Sequence, residues 1–146
     1  MLDRFVSYAL AFEEAVISDD WSVVATFFTD DAVYETNNGP PFGGIRDGRT
    51  AILSFFRQSL DEFDRRFDSR EGELIEGPSE KDGAVWIRWA ARYRVAGAPE
   101  LRIEGEERAY FEGDRIRRLV DHIPDEVNER IARFMSANAA ALRTGA

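Results

Sequence analysis

Cysteine is absent from the 146 residues, and histidine occurs once. The first absence excludes a disulfide framework and any thiolate-bound zinc, and it fits a reducing compartment such as the cytoplasm. The second leaves little from which to build a Ser-His-Asp triad or a histidine metal site, and no metal is expected. Positive charge is also scarce: 19 Lys and Arg against 28 Asp and Glu give a net charge of −9. Nucleic-acid and anionic membrane surfaces are bound by clustered cations, so neither partner is expected. No apolar run approaches the roughly 18 residues that a spanning helix needs. The opening stretch MLDRFVSYALAFEEAV has no basic start and no unbroken apolar centre, so a secretory signal is not expected there and the chain reads as soluble and cytoplasmic. No glycine-rich loop follows a strand in the dinucleotide-binding manner, and no cofactor is expected.

What the chain does have is apolar residues at 44% and aromatic residues at 12%, enough for one domain over residues 1–146 with a single substantial core. Leu2, Phe5, Val6, Ala9, Phe12, Val16 and Ile17 recur at three- and four-residue spacing and predict a helix of about four turns, with Glu13 inside its apolar face. SDDWSVVATFF reads as a second, short helix with cap-type residues before Trp21. DDAVYET reads as a strand, NNGPPFGG as a loop, and the stretch from Asp47 through Ile52, Phe55, Phe56, Leu60 and Phe63 as a third helix. Strands are predicted over residues 67–77, 83–95, 101–112 and 115–123, with turns short enough to make them antiparallel neighbours. A last helix is predicted over about residues 125–143. Helices followed by an antiparallel sheet make the fold class α+β.

One strand breaks its own pattern. In LRIEGEERAYFEG, residues 101–113, the odd positions are apolar or small except for Glu107, a carboxylate on the dry face. A turn over residues 96–100 would pair Val95 with Leu101 and place Trp89 opposite Glu107. Away from water the charged form is disfavoured, the pKa rises, and Glu107 becomes a proton donor near neutral pH. The alternative is a structural acid satisfied by a hydroxyl such as Tyr34 or Tyr93, or one at an open rim. Glu13 could add to an acidic cluster or reach past the helix edge to solvent.

The helical start, FFTDDAVYE, GIRDGRTAILSFF and GDRIRRLVDHI, in that order over about residues 5–123, resemble the nuclear transport factor 2-like superfamily, in particular its SnoaL-like branch. The predicted final helix lies outside the resemblance. The resemblance implies a cone of curved antiparallel sheet closed by the N-terminal helices around a pocket. Such cones serve isomerases, dehydratases, epoxide hydrolases, polyketide cyclases and non-catalytic binding modules, so function has to be argued from the site. The arginine and aspartate of the epoxide hydrolase-like members match Trp89 and Ala91 here, and that chemistry is not expected. The helical tyrosine and first-strand base of the isomerase-like members match Phe12 and Thr36. What carries over is Glu107, matching the acid beside the reacting oxygen, and Asp121, matching the last-strand aspartate of hydrolase-like and cyclase-like members. Strict alternation from a tight turn at Gly113 and Asp114 would point Asp121 outward and His122 inward; the family pattern turns Asp121 inward, which needs an extra loop residue or a bulge.

Glu107 and Asp121 are thus the candidate catalytic residues, with Tyr34, Phe42, Phe56, Trp89 and Tyr93 as candidate substrate contacts. On the wet sheet face, Arg92 opposite Glu104 and Trp86 opposite Tyr110, near Arg88, suggest a homodimer interface rich in arginine and aromatic residues. The expected function is acid/base isomerisation, dehydration or cyclisation of a small apolar molecule. The alternative is a ligand-binding or dimeric interaction module on the same fold.

Overall fold

In a computed structural model, which describes residues 1–144, the chain forms helices α1 (Leu2–Ser18), α2 (Ser22–Ala25), α3 (Arg49–Glu62) and α4 (Asp125–Ala137) and six strands. The strands are β1 (Phe28–Thr36), β2 (Gly44–Asp47), β3 (Ser69–Lys81), β4 (Ala84–Arg94), β5 (Leu101–Glu112) and β6 (Arg115–His122), in one curved sheet of order β2-β1-β6-β5-β4-β3. β1 runs parallel to β6, and the other neighbours are antiparallel. Among the described residues no helix is long and apolar enough to cross a membrane.

Local chemistry accounts for the turns. Asp82 and Gly83 both have positive φ between β3 and β4, the geometry of a two-residue hairpin turn whose twist matches its strands. At the α1 end, Asp19 takes a left-handed conformation, its N–H bonds the Ala15 carbonyl, and its carboxylate accepts from Trp21 Nε1 at 2.9 Å. Asp20 Oδ1 accepts from the Ser22 amide and hydroxyl, an Asx turn that leads into α2.

The core is aromatic. Phe5, Tyr8 and Ala15 of α1 pack with Phe28, Ile52, Phe56 and Leu119 under the narrow part of the cone. Each such large side chain contributes about 1.5–3 kcal/mol of burial. A second cluster, with Phe67, Tyr93, Leu101, Ile103 and Ile123, is covered by Val127 and Phe134 of α4. The C-terminal helix therefore packs on its own cone. Asn37 fixes that end by donating to the Ile123 carbonyl and accepting from its amide, both at 2.7 Å, while Asn128 of α4 donates to the Asn37 carbonyl.

Several expectations need correction. The buried stripe of α1 is narrower than the sequence pattern: Ile17 is 87% exposed and Val6 is exposed, while Tyr8 is buried. α2 is a single turn, because Phe28 enters β1 instead of extending the helix, and the short edge strand β2 has no alternating pattern to announce it. α4 ends at Ala137 and continues only as a 3₁₀ turn, Ala139–Ala141. β4 and β5 begin their pairing at Tyr93 and Leu101, since Val95 leaves the ladder to pack in the second cluster. That shift of two residues keeps every side chain on its face but changes its partner. Trp89 faces Gly105, Ile87 faces Glu107, Arg92 faces Arg102 and Trp86 faces Arg108. Trp86 is also not exposed: it keeps 4% of its surface, with Lys81 Nζ 3.5 Å from its ring centre. Tyr110 is half-buried beside Arg117 and Arg118, and only Arg88 of the three stands free on the outer face.

Candidate active site

Two adjacent strands bring the acids together. Glu107 on β5 and Asp121 on β6 are directly opposite each other. The hairpin between them turns tightly at Gly113 and Asp114, with Glu112 paired to Arg115, and the register then slips between Tyr110 and Phe111 so that Arg117 is extra. This bulge turns Asp121 inward and leaves His122 exposed. Both carboxyls line a cavity of about 580 Å³ beneath α1, walled by Phe5, Tyr8, Phe56 and Ile87.

Asp121 is held on one side and free on the other. Its Oδ2 accepts a 2.5 Å hydrogen bond from the Tyr34 hydroxyl, and Tyr34 stands two residues before Thr36, the residue of β1 that pairs with Asp121. Its Oδ1 is buried without a hydrogen-bond partner, as is Trp89 Nε1. Gly105 explains where the indole goes: a Cβ there would lie 3.1 Å from the Trp89 ring and 2.9 Å from the His122 carbonyl, so only glycine lets Trp89 lie across β5. The indole and the Tyr34 hydroxyl both favour the charged form of Asp121.

Burial, followed by the Asp121 charge, pushes the Glu107 carboxyl well above the usual carboxylate range. Asp121 is also raised by burial, against the opposing pull of its neighbours Glu107, Tyr34 and Trp89. Facing each other across the strand pair, the two carboxyls titrate together, and Glu107, the more strongly raised, holds its proton to higher pH than Asp121. The Tyr8 hydroxyl is raised by burial and then by the charges of Glu107 and Asp121, so it remains a donor beside them. Sequence reasoning missed Tyr8, although its three-residue spacing from Phe5 was available as a signal.

Of the candidate contacts, Tyr34, Phe56 and Trp89 share the acid cavity. Phe42 and Tyr93 instead line a second cavity of about 760 Å³ between the 37–44 loop, α3 and α4. Tyr93 donates at 2.8 Å to Asp64, which burial pushes up to about 6 against the opposing pull of Arg70 and Tyr93. Glu13 lines the same cavity as the acid pair, where its charge adds to the rise of Glu107, but its carboxylate is paired, accepting from Arg70 at 2.6 Å in space that Gly72 leaves by having no Cβ.

Comparisons place this geometry among known folds. Bal32a, from a soil-derived mobile gene cassette, superposes with a TM-score of 0.68 at 18% identity, covering 91% of this chain and 97% of its own. TerC, crystallised with polyporic acid, gives 0.69 at 11% identity over 91% and 98% of the two chains. A candidate polyketide cyclase from Xanthomonas campestris pv. campestris gives 0.61 at 20% identity over 91% and 98%. At these identities the likeness is one of fold. No curated protein matches the chain. The model of the SnoaL-like domain matches residues 9–119, most of the chain, which includes Glu107 and ends two residues before Asp121, and the chain belongs to the SnoaL-like domain family of the nuclear transport factor 2-like superfamily.

Proposed function

We propose that this protein is a cofactor-independent acid/base enzyme that moves protons on a small, largely apolar molecule bearing a carbonyl or hydroxyl oxygen. The observation that carries the reading is the cross-strand pair of Glu107 and Asp121 on the wall of an apolar cavity, with Asp121 Oδ1 unpartnered. A buried acceptor without a partner costs about 1–3 kcal/mol, and a ligand proton would satisfy it.

The division of labour follows from the two environments. Asp121, its charge favoured by Tyr34 and Trp89, takes a proton from carbon beside a carbonyl. Glu107 donates its proton, and Tyr8 a hydrogen bond, to the oxygen on which negative charge develops. Returning the abstracted proton to a different carbon, while the proton on the oxygen goes back to Glu107, gives isomerisation. Where Glu107 instead keeps its proton for a departing β-hydroxyl, the carbon–oxygen bond breaks to give water and an enone; where the carbanion attacks a second carbonyl, the new carbon–carbon bond closes a ring and the resulting alkoxide takes the proton held by Asp121. After dehydration the proton gained by Asp121 passes to Glu107 across the strand pair, which restores the starting state. That TerC was crystallised with polyporic acid supports a small organic ligand for a cone of this shape.

The test is deuterium uptake from D₂O at the carbon beside the carbonyl in a panel of cyclic ketones and β-hydroxy ketones, followed by proton NMR. Uptake should exceed the buffer rate and fall by about 100-fold or more in Asp121→Asn, with a loss in Glu107→Gln as well. Ketones that bind and exchange at the buffer rate would instead favour a binding module, which the mismatched residues Trp89, Ala91 and Thr36 also suit.

A further inference from the structure

Two cavities stand side by side in this cone, and one wall serves both. Phe12, Tyr34, Phe55, Ser59, Asp64 and Arg70 line the acid cavity on one side and the second cavity on the other. We propose that the second cavity is a subsite for the same ligand. The ligand is then an elongated, largely apolar molecule: its oxygen-bearing end lies at Glu107 and Asp121, and its body runs past Asp64 and Arg70 towards α4. This inference rests on the proposed acid site and adds the substrate's length and direction.

Three observations carry it. First, each cavity alone is within the usual range of about 300–1,000 Å³ for a ligand site, so neither is a packing defect. Second, the charged groups at the shared wall, Asp64 and Arg70, already have partners. Tyr93 donates to Asp64 at 2.8 Å, and Arg70, 16% exposed, donates to Glu13 at 2.6 Å. An apolar body can pass such a wall without leaving a buried charge unpartnered. Third, the far side carries an apolar, adaptable face among the polar Asn38, Glu62, Arg66 and Asn128. Phe42, Phe63, Ile103, Ile131 and Met135 line it, and methionine reshapes easily around a ligand. Ile131 and Met135 belong to α4, which lies beyond the segment that the SnoaL-like model matches.

A competing exit exists. Val6, Leu10 and Leu74, all exposed, rim the acid cavity between α1 and β3, and a long ligand could leave there instead. The two directions are separated by a series of 4-alkylphenols from ethyl to decyl, with binding followed by calorimetry. The phenol oxygen stands in for the reacting oxygen, and the alkyl tail reports where the ligand runs.

In the wild type the Kd should fall by about fourfold per methylene while the tail is being buried. Ile131→Trp and Ala132→Trp fill the second cavity, and Ala132 is an exposed helix position whose replacement leaves the core intact. Both variants should keep the affinity for 4-ethylphenol and lose the gain with tail length. Leu10→Ser and Leu74→Ser should leave that gain unchanged. The proposal is overturned if the gain survives both tryptophans and disappears with the serines, because the tail then runs out between α1 and β3. It is equally overturned if 4-ethylphenol binds and length adds nothing, a result that leaves the acid site standing. If no phenol of any length binds, the acid site and this inference fall together.

Discussion

Replacing Glu107 by Gln should make the protein more stable at neutral pH. The carboxyl faces Asp121 across β5 and β6, and burial together with that charge raises its pKa well above the ordinary range. The native state therefore holds a proton that the unfolded chain, titrating at about 4.3, releases. With a raised folded pKa, the stabilisation is fully present below about pH 4.3 and is lost as pH rises through the folded value. Each unit by which the folded value exceeds the unfolded one is worth about 1.4 kcal/mol, so the wild type should lose stability against the Gln variant steadily as pH rises above about 4.3. Urea unfolding of both proteins across that range reads the difference directly, provided the m-values agree. The reasoning is refuted by a Gln variant that is less stable at pH 7, with the gap closing in acid. Such a result would make Glu107 an ionised carboxylate with a stabilising partner.

Other residues give independent checks. Gly105→Ala puts a Cβ 2.8 Å from Ile123 Cδ1 and 2.9 Å from the His122 carbonyl, so it should destabilise the fold by about 1–3 kcal/mol and shift the Trp89 fluorescence. Tyr34→Phe removes the donor to Asp121 Oδ2, which should cost about 1–3 kcal/mol and raise the Asp121 pKa further, measurable as an upward shift of any pH profile that depends on it. Asn37→Ala breaks both bonds to Ile123 and should lose about 1–3 kcal/mol, with faster hydrogen exchange at the Ile123 amide and through α4.

The main features of this fold were legible where periodicity is strong. β5 announced itself by alternation, and Glu107 by breaking it. The inward turn of Asp121 was legible only through the family resemblance, because the bulge at Arg117 has no local signature in RIRRLV. The β4–β5 partners were misplaced by two residues, since nothing in AGAPE says that Val95 will leave the ladder for the end cluster. Faces survive a two-residue slip and partners do not, so the acid's place in the cavity was readable while its neighbour was not. Tyr8 was hidden among the many apolar residues of α1, and the exposed Val6, Leu10 and Ile17 blurred the stripe that would have singled it out. The split of the aromatic candidates between two cavities depends on how α3 and α4 pack on the cone. No spacing within a single element encodes that.

The central claim is that Glu107, facing Asp121 across the strand pair, holds its proton well above the ordinary carboxylate range. Carbon-13 NMR of the side-chain carboxyls, with wild type compared against Glu107→Gln and Asp121→Asn to assign the two signals, measures this directly. The account predicts that the Glu107 carboxyl keeps its protonated chemical shift well above the ordinary glutamate range, and that it titrates lower in Asp121→Asn because the neighbouring charge is gone. Two carboxyls that both ionise below about pH 5, each indifferent to removal of the other, would contradict it.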